Sequence, residues 1–223
     1  MRIRNPRKKR TVGGNDFNLS LSDLMAGLLG IFILVLCYTT MHFQNLVDQY
    51  ASANIKRAEL VEAVRDDLKE KNIQVNVDPD KGEIHIPENL LFASGSADLG
   101  PEGQNVVKEL TVSILGHVKD KAKYGEVGTI YIEGHTDNMP IETAKFPSNW
   151  ELSTQRAINT YKVMRYYYPV DMDNMRNQMQ EYMFSCSGYA DTRPIGDNNT
   201  DEGRQQNRRI DVRVVMLPPM GKK

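Results

Sequence analysis

One carboxylate, Asp23, stands inside an otherwise uncharged apolar stretch, where an acidic side chain costs about 2.5–3.5 kcal/mol to insert into a membrane and therefore has a partner or a task. Residues 24–41 carry no charge, and extending back to Leu19 gives a run of 23 residues interrupted only by Asp23. At 1.5 Å per residue such a helix spans about 35 Å, enough to cross a hydrocarbon core of about 30 Å. Two readings of Asp23 stand side by side. Ser20-Leu21-Ser22-Asp23 is worded like a helix start, with Ser20 as N-cap and the acid three residues later. Alternatively, Asp23 is an ion carrier. On a helical wheel it shares a face with Ala26, Gly27, Gly30, Leu34 and Cys37, opposite Met25, Leu28, Phe32 and Leu36. Ala26 and Gly30 have the spacing of a small-xxx-small contact, so this face suits close approach of partner helices that the chain itself does not supply.

Other chemistry finds little support. His42, His85, His117 and His135 show no metal-ligand spacing, and no Ser or Cys nucleophile has a base nearby in sequence; no enzyme activity, metal or cofactor is expected. Cys37 lies in the apolar stretch and Cys186 far downstream, an arrangement that argues against an intrachain disulfide. Asp171-Met172-Asp173-Asn174 and Asp197-Asn198-Asn199-Thr200-Asp201 lack the full ligand pattern of calcium loops and read as turns.

The net charge of −1 conceals an uneven layout: Arg2, Arg4, Arg7, Lys8, Lys9 and Arg10 precede the apolar run, and from residue 43 onward 22 basic residues face 27 acidic ones. Basic residues before the span place the N-terminus in the cytoplasm and the rest of the chain across the membrane. A cleaved signal peptide is the rival, but its apolar core runs about 7–15 residues and ends in small residues, which Tyr38-Thr39-Thr40-Met41-His42 does not offer. With the C-terminal part exported, Arg204, Arg208 and Arg209 are not expected to bind nucleic acid.

The organisation expected is a cytoplasmic basic tail over 1–18, a transmembrane helix over 19–41, a connector and first exported helix over 42–72, a globular domain over 73–218 and a tail over 219–223. Leu60, Val61, Val64 and Leu68 share one side of an amphipathic helix. Alternation in Ile73, Val75 and Val77, then Ile84 and Ile86, around Asp78-Pro79-Asp80-Lys81-Gly82 predicts a β-hairpin. A helix from Pro101 to about Tyr124, a strand over 129–133, a helix over 150–168 and strands over 183–189 and 210–216 follow. The order β, β, α, β, α, β, β predicts an α+β sandwich, a mixed sheet with helices on one face.

Five strings occur in one order: Leu91-Phe92-Ala93-Ser94-Gly95-Ser96-Ala97; Gly134-His135-Thr136-Asp137; Asn149-Trp150-Glu151-Leu152-Ser153 with Arg156-Ala157; Gly188-Tyr189-Ala190-Asp191; and Asn207-Arg208-Arg209-Ile210. Together they resemble the OmpA-like peptidoglycan-binding domain, over about residues 73–217. The resemblance implies that Asp137 and Arg156 hold the diaminopimelate of a peptidoglycan stem, that Thr136, Asn149 and Leu152 shape the pocket, and that Arg208 adds a contact. A zwitterionic amino-acid end suits this pair, a carboxylate for its ammonium and a guanidinium fork for its carboxylate. The alternative is a salt bridge between Asp137 and Arg156, or a solvated helix face.

The stretch from Met139 to Ser148 is longer than in outer-membrane members, and with the basic tail and the Asp near the start of a single span it resembles the motor branch, MotB. Flagellar MotB usually has a longer linker and an Ala-Asp-Phe-Met start to its span. Ser22-Asp23-Leu24-Met25 and the compact connector are similar instead to ZorB, the B subunits of Zorya anti-phage defence systems. That resemblance implies an inner-membrane B-subunit homodimer, ringed by MotA/ZorA-like membrane subunits, five per dimer, with Asp23 carrying protons or sodium ions and the periplasmic domain on peptidoglycan. A flagellar stator subunit and a passive wall tether remain as alternatives.

Overall fold

The computed structural model describes residues 14–217; the basic cluster Arg2 to Arg10 and residues 218–223 lie outside the described residues. Contacts divide the chain into two units, 1–49 and 50–223. Helix α1 (Gly14–Glu70) forms the described part of the first unit and contributes its last turns to the second. In the first unit Leu24, Met25, Leu28, Phe32 and Leu36 are exposed on one side and Leu34 on the other. A helix apolar all round needs an apolar surrounding. Among the described residues this is the one helix long and apolar enough to cross a membrane.

The structure corrects the capping reading. Because α1 starts at Gly14, Ser20 lies inside the helix and not at its N-cap. Asn15-Asp16-Phe17-Asn18-Leu19 contains no proline or glycine to stop the helix from extending upstream.

In the second unit the end of α1 buries Leu60, Val61, Val64 and Leu68, as their spacing predicts. Asn72, at a left-handed φ of 61°, then turns the chain away. Ile73 and Val75 are buried, but the first strand, β1 (Asn76–Asp78), starts later than the alternation suggests because this turn occupies the preceding residues. Gly82, at φ 72°, closes the hairpin to β2 (Glu83–Pro87).

A short α2 (Glu88–Leu91) and then α3 (Pro101–Lys119) follow, the latter with Pro101 in its first turn. The helix expected to reach Tyr124 breaks at Asp120, whose carboxylate accepts from the backbone N–H of Lys123 and so starts a separate turn, α4 (Lys121–Tyr124). Next come β3 (Val127–His135), α5 (Asn149–Tyr167), α6 (Pro169–Asn174), β4 (Phe184–Gly188), α7 (Asp201–Asn207) and β5 (Arg209–Met216). Asp171 to Asn174 thus lie in α6, not in a turn: Pro169 opens the helix and Asp173 pairs with Arg165 of α5.

The sheet order is β1-β2-β5-β3-β4, antiparallel except for the parallel β3–β4 pair. This is the expected α+β architecture with a mixed sheet. Ile84, Ile86, Ile130, Ile132, Ile210, Val212 and Val214 point from its inner face into one core with α1, α3 and α5. The alternate residues form a charged outer face, with His85 opposite Asp211, Glu133 opposite Asp211 and Tyr131 opposite Arg213.

Candidate functional site

The C-terminal end of β3 delivers Thr136 and Asp137, and the close packing of α5 against this strand fixes where they sit. A Cβ on Gly134 would collide with the backbone oxygen of Ser153, so glycine permits the helix to approach. Ser148 caps α5 by accepting from the N–H of Trp150, and its hydroxyl donates to Glu151 Oε2 at 2.5 Å, closing the helix start. Ser153 Oγ accepts from the N–H of Ala190, and the Ala190 carbonyl accepts from the N–H of Thr136, tying the β4 exit to the same point. On the far side, buried Asn207 accepts from the N–H groups of Ile195 and Gly196 and donates to the Gly196 carbonyl, so α7 ends with Arg208 at a fixed position.

These elements enclose a cavity of about 500 Å³. Thr136, Asp137, Asn149, Leu152, Arg156 and Arg208, the six side chains singled out in the sequence, all line it, together with Glu88, Phe92 and Gln205. Asn149 donates to the carbonyls of Asp137 (3.2 Å) and Met139 (3.0 Å) and staples the long loop. Leu152 packs with Ala97 and Phe146 in a small core beneath that loop.

Asp137 and Arg156 do not take each other as ion-pair partners. Arg208 Nη1 donates to Asp137 Oδ2 at 2.5 Å, and Arg156 Nη2 donates to Glu88 Oε1 at 2.6 Å. Glu88 Oε2 lies 3.2 Å from Arg208 Nε, yet it accepts no hydrogen bond among the described residues. The four charges therefore alternate as Arg156, Glu88, Arg208, Asp137 and sum to zero.

Arg156 is 2% exposed; its Nε donates to the Ser96 carbonyl and its guanidinium stands 5.2 Å from the Phe92 ring centre. Burial pulls its pKa below the ordinary guanidinium value against the opposing field of Glu88, and an arginine so placed stays charged. Its Nη1 makes no hydrogen bond among the described residues. The cavity thus offers carboxylate oxygens and a guanidinium edge on largely buried side chains, the chemistry that receives a zwitterion.

Glu88 was not singled out in the sequence. Its signal was an acid set directly between the alternating strand Ile84-His85-Ile86 and the apolar run Leu90-Leu91-Phe92, a place where a charge is buried and needs a partner.

The outer sheet face gathers a second cluster. His85 Nδ1 stands 2.7 Å from Asp211 Oδ1, His135 Nε2 stands 3.2 Å from Oδ2, and Arg209 Nε donates to both oxygens at 2.9 Å. Glu83, His85 and Asp211 have the donor types of a metal site. The Arg209 guanidinium on the same carboxylate already supplies the positive charge that a metal would bring, so the cluster reads as a structural ion-pair ladder.

The OmpA family model matches residues 91–208, more than half of the chain. The chain belongs to the OmpA family. Within it, the chain is 29% identical to motility protein B of Bacillus subtilis over 168 residues, covering 75% of this chain and 58% of that protein. To the Zorya protein ZorB of Escherichia coli it is 24% identical over 215 residues, 90% of this chain and 88% of ZorB. The solved cell wall anchor of the T6SS from Pseudomonas aeruginosa superposes with a TM-score of 0.53 at 29% identity, over 72% of this chain and 99% of that one. The motif-based resemblance to MotB- and ZorB-type members of the OmpA family thus extends to sequence similarity over most of the chain.

Proposed function

We infer that the chain is a peptidoglycan-gripping, ion-carrying B subunit of an inner-membrane motor complex, of the ZorB kind. The observation that carries this reading is the neutral four-charge cavity of an OmpA-family domain on the same chain as an apolar helix bearing one carboxylate. Asp137 and Arg208 receive the ammonium end of the stem peptide's diaminopimelate, and Arg156 with its open Nη1 receives the carboxylate. Thr136, Asn149 and Leu152 shape the pocket around it.

In this reading residues 19–41 span the inner membrane with the N-terminus cytoplasmic, and the domain is periplasmic. Asp23 meets A-type subunits that complete its ion path, around a homodimer of this chain. The small residues beside it support this: a Cβ at Gly27 or Gly30 would meet nothing within 4 Å among the described residues, none of which requires them to be small. The similarity to ZorB, running over 90% of the chain, extends beyond the domain alone and favours a defence complex. The higher identity to motility protein B supports a flagellar stator as the second reading.

Co-sedimentation with purified sacculi tests the wall site. Asp137→Asn and Arg156→Ala should each lose most of the bound fraction while the wild-type chain is retained, and full retention of both variants would refute the assignment.

A further inference from the structure

Both oxygens of Asp137 are committed within the chain: Oδ1 accepts from the N–H of Met139 at 3.1 Å, and Oδ2 holds Arg208 Nη1. An ammonium brought to this carboxylate meets a guanidinium already seated on it. Two like charges a few ångströms apart repel, and the more so between groups that are partly buried. A zwitterion therefore binds well only if Arg208 has another place to go.

Glu88 provides that place. Its Oε1 holds Arg156, while its Oε2 is buried and accepts no hydrogen bond among the described residues, a costly state for a carboxylate oxygen. Arg208 Nε stands 3.2 Å from that oxygen, so the missing bond needs a turn of the guanidinium and no shift of the chain. The backbone here is held on both sides: the Arg208 carbonyl accepts from the N–H of Glu88 at 3.0 Å, and the Arg208 N–H donates to the Arg204 carbonyl at 3.1 Å. The Arg208 side chain is 37% exposed, against 10% for Glu88 and 9% for Asp137, which leaves the guanidinium as the part with room to move.

We propose that Arg208 is a two-position arm of the charged cavity and Glu88 its second seat: the arm rests on Asp137 and turns to Glu88 Oε2 when a ligand's ammonium takes Asp137. The proposal rests on the stem-peptide reading of the cavity and states how its charges rearrange. The ligand's carboxylate at Arg156 completes the exchange, because it relieves Glu88 of part of the Arg156 charge as Glu88 takes on Arg208. Every charge then keeps an opposite neighbour before and after binding. A ligand with the carboxylate but no ammonium leaves Arg208 on Asp137 and gains nothing from the second seat. Glu88 is thus a positioning residue that sets the preference for a complete zwitterion.

The test uses the full chain in detergent and two soluble ligands: the stem tripeptide ending in diaminopimelate, and the same tripeptide with hydrogen in place of the ammonium at its zwitterionic end. Calorimetry gives the ratio of their affinities, which for the wild type should be about tenfold in favour of the first, the gain from one charge-assisted hydrogen bond. Glu88→Gln keeps an acceptor for Arg156 but removes the anionic second seat, and should bring the ratio close to one. In an Arg208→Ala background the same substitution should leave the ratio unmoved, because no arm remains to be seated. A ratio that survives Glu88→Gln, or that falls equally with and without Arg208, would overturn the proposal. A merely structural role for Glu88 weakens both ligands together and leaves the ratio standing.

A second measurement needs no change at residue 88. The Arg208 Nε–H resonance, assigned by its disappearance in Arg208→Ala, should move on addition of the tripeptide and stay in place with the ammonium-free ligand; the same response to both overturns the handover. Binding of neither ligand by the wild type sinks the stem-peptide reading and the handover with it, whereas equal affinity for both overturns the handover alone.

Discussion

At the scale of single residues, the charged cavity depends on a buried carboxylate that stands between two guanidiniums. Glu88 is the partner of buried Arg156 and the near neighbour of Arg208. Glu88→Ala leaves the Arg156 charge buried and uncompensated, a loss of about 3–5 kcal/mol in chemical denaturation, whereas Glu88→Gln keeps an acceptor and should cost less. Asp211 makes a different demand. Burial alone would raise its pKa, but the His135 and His85 contacts and the Arg209 charge hold it well below the usual carboxylate range. The unfolded chain then binds the proton more readily than the folded one. Asp211 thus contributes stability in full above its unfolded value of about 4, and loses it as pH falls from there toward the folded value. Melting temperatures taken from pH 7 to pH 2 should fall steeply in this range for the wild type. Asp211→Asn should start lower at pH 7 and show a flatter acid limb.

At the scale of elements, α5 carries three of the cavity's residues, Asn149, Leu152 and Arg156, and its first turn is set by Ser148. Ser148→Ala removes the cap and should cost about 1 kcal/mol of stability. Sacculus binding should weaken as well, because the residues freed to fray are those that line the cavity. A variant with the stability loss but undiminished binding would show that the long loop holds the helix start by itself. The same elements explain how far the sequence could be read. Strands β2, β3 and β5 were legible because one face is buried and the other polar, so their hydrophobic residues alternate. Helices α2, α6 and α7, of four, six and seven residues, are too short to display a helical period, and α7 is what brings Arg208 to Asp137. Glu88 and Arg156 are 68 residues apart, and His85 and Asp211 are 126 apart. Their pairing follows from the strand order, which local pattern does not encode. The motif strings brought Asp137, Arg156 and Arg208 to notice; the charge order among them appeared only with the fold.

At the scale of the whole molecule, gripping a wall and carrying an ion are useful together only if the ion's energy can be turned against a fixed anchor. One charge crossing 100 mV releases about 2.3 kcal/mol, which does work when the part it pushes cannot simply turn with it. In the proposed reading the two tasks fall to residues in separate units of the chain, Asp23 in one and the charged cavity in the other, so they should be separable by mutation. Asp23→Asn keeps the size and polarity of the side chain and removes only its capacity to take up and release a cation. In cells carrying the complete system, this variant should still reach the membrane and still sediment with sacculi, while phage resistance, or motility for a flagellar complex, is lost. Arg156→Ala should show the converse biochemistry, with Asp23 intact and sacculus binding gone. Asp23→Glu discriminates further, since it retains the ionisable group but displaces it by one methylene: partial activity is expected if the carboxylate must meet partner groups at a set depth. Full activity of Asp23→Asn would leave a chain that merely joins membrane to wall, because no other acid lies within the apolar run from Leu19 to Met41 to take over the ion.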